Sequence, residues 1–201
     1  MKERPILFSA PMVRALLAGT KTQTRRGVKG FLPCRPEFNE ERGLWEIYNG
    51  DSVAATLRCP YGQPGDRLWV RENGWQRPFR SARDMREGAD TWPPYEYDAE
   101  PVCCWEDGEL KRLGWKRRPS IHMPRWASRI LLEVTAVRVE RLQDISATDA
   151  IAEGLSTRLR EHDAVCHLLD QYRDLWESIN GPESWDANPF VWVVEFKRVR
   201  P

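Results

Sequence analysis

The sequence has no long apolar run and few of the residues that build disulfide or metal frameworks. No stretch reaches the roughly 18 apolar residues that a membrane-spanning helix needs, and residues 1–8 contain no hydrophobic signal core. There are five Cys, an odd number without a C-x-x-C pair, and the three His are scattered. These absences argue against a secreted disulfide framework, a structural zinc site and membrane association. We therefore expect a cytoplasmic protein without a metal or other cofactor.

Length and composition fit one folded domain. The 201 residues are 41% hydrophobic and 30% charged, which is typical of a globular chain. Ten Trp are many for this length. Composition leaves open whether these side chains fill a core or form a stacking surface.

The charges are unevenly distributed although the formal net charge is only +1. Residues 4–36 and 111–129 contain basic side chains and no acid, whereas residues 84–109 carry nine acids against the single base Arg86. If the two basic blocks meet on one face, that surface attracts phosphate. Mutual neutralisation of the blocks across the fold is the alternative.

Hydrophobic periodicity predicts a mixed α+β fold. Helices are expected from Pro11 to Gly19, from Ser146 to Gly154, and over the apolar series from Val165 to Ile179. Strands are expected at 6–8, 44–48, 52–57, 67–72, 129–142 and 190–197. Asn49-Gly50 predicts a hairpin turn, and a change of apolar face within 129–142 predicts a bulge. Such a bulge is typical of a small, mostly antiparallel β-barrel.

Two insertions interrupt the single domain of residues 1–201, at about 27–63 and 73–120. Residues 27–42 carry Gly and Pro and predict a loop. Residues 73–120 show little periodicity and contain four Trp. We expect a large irregular insertion with one short helix, packed by its own aromatic side chains and partly walling a cleft.

Three segments of the sequence match the pattern of one known family. They are the string Leu17-Ala18-Gly19-Thr20-Lys21-Thr22-Gln23-Thr24-Arg25-Arg26, residues 65–72 (GDRLWVRE) and residues 193–197 (VVEFK). In this order they resemble the signature, the second block and the last strand of the ASCH family. Residues 123–129 (MPRWASR) resemble the long members found in tailed bacteriophages and prophages. The resemblance implies a PUA-like β-barrel with flanking helices, related to RNA-binding modules, with a cleft beside the first helix.

The resemblance also implies a chemistry. Some ASCH proteins are amidohydrolases that remove the acetyl group from N4-acetylcytidine, and the residues assigned to this reaction correspond here to Lys21, Thr24 and Glu153. A threonine hydroxyl is a poor nucleophile unless a base takes its proton. A lysine is such a base only if its pKa falls, which burial or the neighbouring Arg25 and Arg26 would cause.

Further residues are candidates for binding the substrate, which we expect to be RNA or a modified nucleoside. Glu72 is a second candidate for the functional carboxylate. Trp126 could stack on a base while Arg125 holds a phosphate. The full set of expected binding residues is Arg25, Arg26, Arg71, Glu72, His122, Arg125 and Trp126.

Each of these assignments has a simpler alternative. Lys21, Arg25 and Arg26 could form a phosphate-contacting patch without catalysis, and Thr24 could cap backbone groups. Glu153 could be a solvated charge, and Trp126 could belong to the core. The alternative functions are a non-catalytic RNA-binding module of bacteriophage origin and a ribonuclease. We expect a monomer in each case.

Overall fold

The computed structural model describes residues 1–30, 34–77, 95–101, 106–157 and 161–199, which form an α+β fold with mostly antiparallel sheets. The helices are α1 (Ala10–Leu17), α2 (Asp107–Arg112), α3 (Ala147–Ala152) and α4 (Glu161–Asn180). The strands are β1 (Glu3–Leu7), β2 (Gln23–Gly27), β3 (Glu37–Asn39), β4 (Leu44–Asn49), β5 (Ser52–Leu57), β6 (Arg67–Arg71), β7 (Gly74–Gln76), β8 (Tyr95–Tyr97), β9 (Lys116–Arg118), β10 (Leu131–Arg141) and β11 (Phe190–Val199).

The main sheet has five strands in the order β1-β6-β10-β11-β2. Only the β1–β6 pair is parallel among its described neighbours. The two longest strands, β10 and β11, lie inside the sheet, and the register between them shifts between Val134 and Ala136. This shift confirms the bulge predicted from the change of apolar face. No backbone pairing joins β1 to β2 among the described residues, so closure into a barrel stays a prediction.

Two hydrophobic clusters lie on the two faces of this sheet. Because side chains alternate along β11, Trp192, Val194 and Phe196 pack with α1, whereas Val191 and Val193 pack with α3 and α4. The assignment of Trp192 and Trp176 to the core is confirmed, since both side chains are buried. The sheet is therefore covered on both faces next to β2.

The first insertion forms a small sheet, β3-β4-β5. The hairpin predicted at Asn49-Gly50 is confirmed, and Gly50 adopts the positive φ of 61° that such a turn requires. The loop expected over 27–42 is interrupted by β3, because three residues are too few to show a readable alternation. Residues 31–33 lie outside the described part of the chain.

The second insertion is more regular than expected where it is described. Its strands form the sheet β8-β7-β9, and α2 precedes β9. Trp75, Leu110 and Trp115 form a cluster of their own, which confirms that aromatic side chains of the insertion pack on one another. Trp92 and Trp105 lie outside the described residues.

Candidate functional site

The site lies at the free edge of β2, where the end of α3 reaches Lys21. Helix α3 begins at a capping box in which the Asp149 amide donates to Ser146 Oγ at 3.1 Å. It ends at Glu153, and Gly154 then turns the chain with a φ of 96°. A Cβ on Gly154 would lie 2.8 Å from the Ala15 Cβ, so only glycine allows α3 to end this close to α1.

Lys21 and Glu153 are joined through both backbone and side chain. They form an antiparallel bridge, and the adjacent Thr22 amide donates to the Ala152 carbonyl at 2.8 Å. The Lys21 ammonium donates to Glu153 Oε2 and to the Glu153 carbonyl oxygen, both at 2.8 Å. The Lys21 side chain is fully buried and that of Glu153 is 3% exposed. Glu153 is therefore a buried partner of the signature lysine, and the solvated-charge alternative is wrong.

The pKa of Lys21 is lowered from its ordinary value. Burial is the largest cause, because it disfavours the charged ammonium. Glu153 acts in the opposite direction through its charge and its hydrogen bond, and the neighbouring Arg26 and Arg25 lower the pKa further. Lys21 therefore gives up its proton more readily than an exposed lysine.

Arg25 lies behind this pair and holds three carboxylates together. Its side chain is fully buried, and its guanidinium lies 3.6 Å from Glu153 Oε1, 3.2 Å from Asp149 Oδ2 and 3.3 Å from Glu140 Oε2. Arg138 extends the network to Glu140 and Asp149. With three carboxylates around it, Arg25 positions Glu153, a role that the sequence did not indicate.

Thr24 and Arg26 lie on the other face of β2, opposite Val194 and Trp192 of β11. Thr24 is buried, and the Arg26 guanidinium lies 5.4 Å from the centre of the Phe8 ring. The Lys21 ammonium lies over the same ring at 5.5 Å. Phe8 thus places two cations next to each other, although the sequence identified it only as part of a strand.

Thr24, Arg26 and Glu153 border a cleft that encloses about 410 Å³ of space, part of it open to solvent. Its described lining comes from α1, β2, the end of α3, and α4: Met12, Thr24, Arg25, Arg26, Gly27, Glu153, Tyr172, Leu175, Trp176, Ile179 and Asn180. The expected cleft beside the first helix is therefore present. No described residue of 73–120 lines it, and α4 forms the wall that we expected from the insertion.

Two aromatic residues of α4 present polar groups at the cleft. Burial raises the pKa of Tyr172 well above its ordinary value, and the nearby Glu153 charge adds to this, so the hydroxyl keeps its proton. The Trp176 indole Nε1 is buried and has no hydrogen-bond partner in the described part of the chain. The helical spacing of these residues predicted burial but gave no sign of a cleft.

The remaining expected binding residues gather around β6 and the start of β10. Glu72 is buried and accepts two hydrogen bonds from Arg129, at 3.1 and 3.0 Å, so it forms a separate ion pair. Trp69 lies between the guanidinium groups of Arg71 and Arg125, at 5.1 and 5.6 Å. Trp126 is 57% exposed, so its assignment to the core is wrong.

His122 is exposed next to Met123, whose carbonyl oxygen accepts a hydrogen bond from Arg71. No ion pair or hydrogen bond links Arg71, Glu72, His122, Arg125 or Trp126 to Lys21, Thr24 or Glu153 in the described ranges. The structure thus places Thr24, Glu153, Arg25 and Arg26 along one cleft, with Lys21 paired to Glu153, and places the other five expected residues around a different strand.

Comparison of the chain with protein-family models, with characterised proteins and with solved structures finds no match. The described side chains contain no group of three or more His, Cys, Asp or Glu arranged to hold a metal ion. None of the described helices is both long enough and apolar enough to span a membrane. Cys34 and Cys59 are free thiols, while Cys103 and Cys104 lie outside the described residues.

Proposed function

We propose that the protein hydrolyses the acyl amide of an N4-acetylcytidine-type nucleoside. The observation that carries the proposal is the buried Lys21–Glu153 pair, with a contact of 2.8 Å, whose Glu153 lines a cleft together with Thr24. A lysine with a lowered pKa, a carboxylate that contacts it and a hydroxyl in the same cleft as that carboxylate supply a base, a group that orients the base and a nucleophile.

In this mechanism Thr24 Oγ1 attacks the acetyl carbonyl carbon while Lys21 takes the hydroxyl proton. The C–N bond breaks, the cytosine N4 amine leaves with a proton returned from Lys21, and the acetyl group remains as an ester on Thr24. Water then hydrolyses that ester to acetate. Glu153 orients the Lys21 amine through their hydrogen bond and shares the proton that Lys21 takes up and returns. Tyr172 lines the same cleft and keeps its hydroxyl proton, and in this mechanism it donates that proton in a hydrogen bond to the carbonyl oxygen as negative charge develops.

The proposed fold for this activity is a PUA-like barrel whose seam lies between β1 and β2. Support comes from Arg26, whose guanidinium on β2 donates to the Leu7 carbonyl on β1. Phe8, the next residue, packs edge-on against Phe196 of β11 with ring centres 6.2 Å apart. Side-chain contacts therefore connect β1 with β2, and the residue after β1 with β11, where no backbone pairing joins β1 to β2 among the described residues.

The test measures turnover of N4-acetylcytidine by the purified full chain. The readout is the appearance of cytidine and acetate. Steady release of both products in equal amounts supports the proposal. Absence of turnover with N4-acetylcytidine and with other N4-acylated cytidines would refute it.

RNA binding without catalysis is the second candidate, and one observation favours it. The exposed Trp126 lies edge-on to the buried Tyr95, with ring centres 6.4 Å apart, and Arg125 precedes it. An exposed aromatic ring that packs against a buried ring and lies next to a cation can stack on an unpaired base. Salt-sensitive binding of single-stranded RNA that Trp126→Ala weakens, in a protein without hydrolytic activity, would favour this candidate.

A further inference from the structure

A second cavity, separate from the catalytic cleft, collects basic side chains without acidic partners. It encloses about 550 Å³, part of it open to solvent, and Lys2, Arg4 and Arg58 line it together with Asp66. No described residue forms a side-chain hydrogen bond or ion pair with any of these three cations. Arg4 Nε is buried in this unpartnered state.

Elsewhere in the described chain, several basic residues pair with carboxylates. Arg25, Arg129 and Arg138 each lie within 3.3 Å of at least two carboxylates. The chain as a whole is almost neutral, with 31 basic and 30 acidic residues. Three cations and a single carboxylate line this cavity, so its net charge is positive and attracts an anion.

The one carboxylate in the cavity is already used by the backbone. Asp66 Oδ1 accepts a hydrogen bond from the Lys2 amide at 2.8 Å, and Oδ2 accepts one from the Gln63 amide at 3.3 Å. Gly62 packs on this side chain so closely that a Cβ would lie 2.9 Å from the Asp66 Cβ. Asp66 thus shapes the loop, and because its charge also interacts with that of Arg4, this one carboxylate offsets only part of the positive charge of the three cations.

The floor of the cavity carries no negative charge. Cys59 lines it, and burial raises the pKa of its thiol to about 11, against a smaller lowering by Arg4 among other contacts. The thiol is therefore neutral at physiological pH. An anion entering the cavity meets two guanidinium groups, an ammonium group and a neutral thiol, with the single carboxylate of Asp66 beside them.

We propose that this cavity binds the phosphate group of a nucleotide or polynucleotide. Guanidinium groups match the geometry of phosphate oxygens, and several cations can contact one tetrahedral anion from different directions. The cavity is partly open to solvent, so a group attached to the phosphate can extend out of it. The inference does not depend on the proposed hydrolysis.

The experiment is isothermal titration calorimetry of the full chain with inorganic phosphate, cytidine 5′-monophosphate and single-stranded oligocytidylate. The site variant is Arg4→Gln/Arg58→Gln. The control variant is Arg112→Gln/Arg173→Gln, which removes the same charge from exposed positions on α2 and α4. We expect saturable binding to weaken at least about tenfold in the site variant and to stay within about twofold in the control.

The three ligands distinguish the sources of the phosphate. Equal affinity for phosphate and the nucleotide identifies the phosphate group alone, and tighter binding of the oligonucleotide identifies a nucleic-acid strand. Arg58→Gln alone, at an exposed position, keeps the test valid if the double variant does not fold. Lack of saturable binding of all three ligands, or equal losses in the site and control variants, would overturn the proposal.

Discussion

The Lys21 ammonium donates to two oxygens of one residue, the side-chain Oε2 and the backbone carbonyl of Glu153, at 2.8 Å each. The carbonyl contact ties the lysine to the end of α3, while the carboxylate raises the Lys21 pKa against the larger lowering by burial. A change at Glu153 therefore alters both the position and the pKa of Lys21. The predictions below follow from this coupling and from the packing around it.

Lys21→Ala and Thr24→Ala are each expected to lower kcat for N4-acetylcytidine by about 10²- to 10⁴-fold, because base and nucleophile act as one unit. The double variant should be no slower than either single variant. Lys21→Arg should fail as well, since a guanidinium group does not act as a base. Lys29→Ala and Thr22→Ala, at exposed positions nearby, serve as controls and should keep their activity. Additive losses would contradict this shared role.

Arg26→Gln is expected to move the rising limb of kcat/KM to higher pH. After burial, the largest cause of the lowered Lys21 pKa, the Arg26 charge lowers it further, so its removal raises the pKa. Lys21 then loses its proton only at higher pH. Glu153→Gln should shift the limb of any residual activity to lower pH, because the Glu153 charge raises the Lys21 pKa. The measurement is the pH profile of both variants, and a limb that neither change moves would show that Lys21 is not the titrating base.

Arg25→Ala is expected to lower the free energy of unfolding by about 3–5 kcal/mol. It removes a fully buried cation and leaves Glu140, Asp149 and Glu153 without their shared partner. Arg173→Ala removes an exposed cation from α4 and should cost at most about 1 kcal/mol. Urea denaturation of the two variants makes the comparison. Similar denaturation midpoints for the two variants would show that Arg25 contributes no more stability than an exposed cation.

Gly154→Ala is expected to destabilise the protein by at least about 1–2 kcal/mol, because alanine is strained at a φ of 96°. Its Cβ would also lie 2.8 Å from the Ala15 Cβ and 3.2 Å from the Lys21 Cβ, so activity should fall with stability. Gly108→Ala, where a Cβ meets nothing within 4 Å in α2, should stabilise that helix slightly. Thermal unfolding distinguishes the two, and equal melting temperatures would contradict the steric argument.

The sequence by itself determined the elements whose signals are local. The alternation in β10 and β11, the helix start at Ser146 and the Asn49-Gly50 turn depend on neighbouring residues, and each appears where it was expected. The apolar spacing of α4 likewise predicted that Leu168, Tyr172 and Trp176 are buried. The three-residue strands β3, β7, β8 and β9 were missed, because such short segments have no period to detect.

Only the tertiary structure decided what the polar residues do. Glu153 stands 132 positions from Lys21 along the chain, and only the docking of α3 beside β2 brings their charges into contact. The same packing surrounds Arg25 with three carboxylates and makes α4 a wall of the cleft. Charges and hydroxyls carry no periodic signal of their own. Their protonation and their partners follow from burial and from long-range contacts, which exist only once the chain has folded.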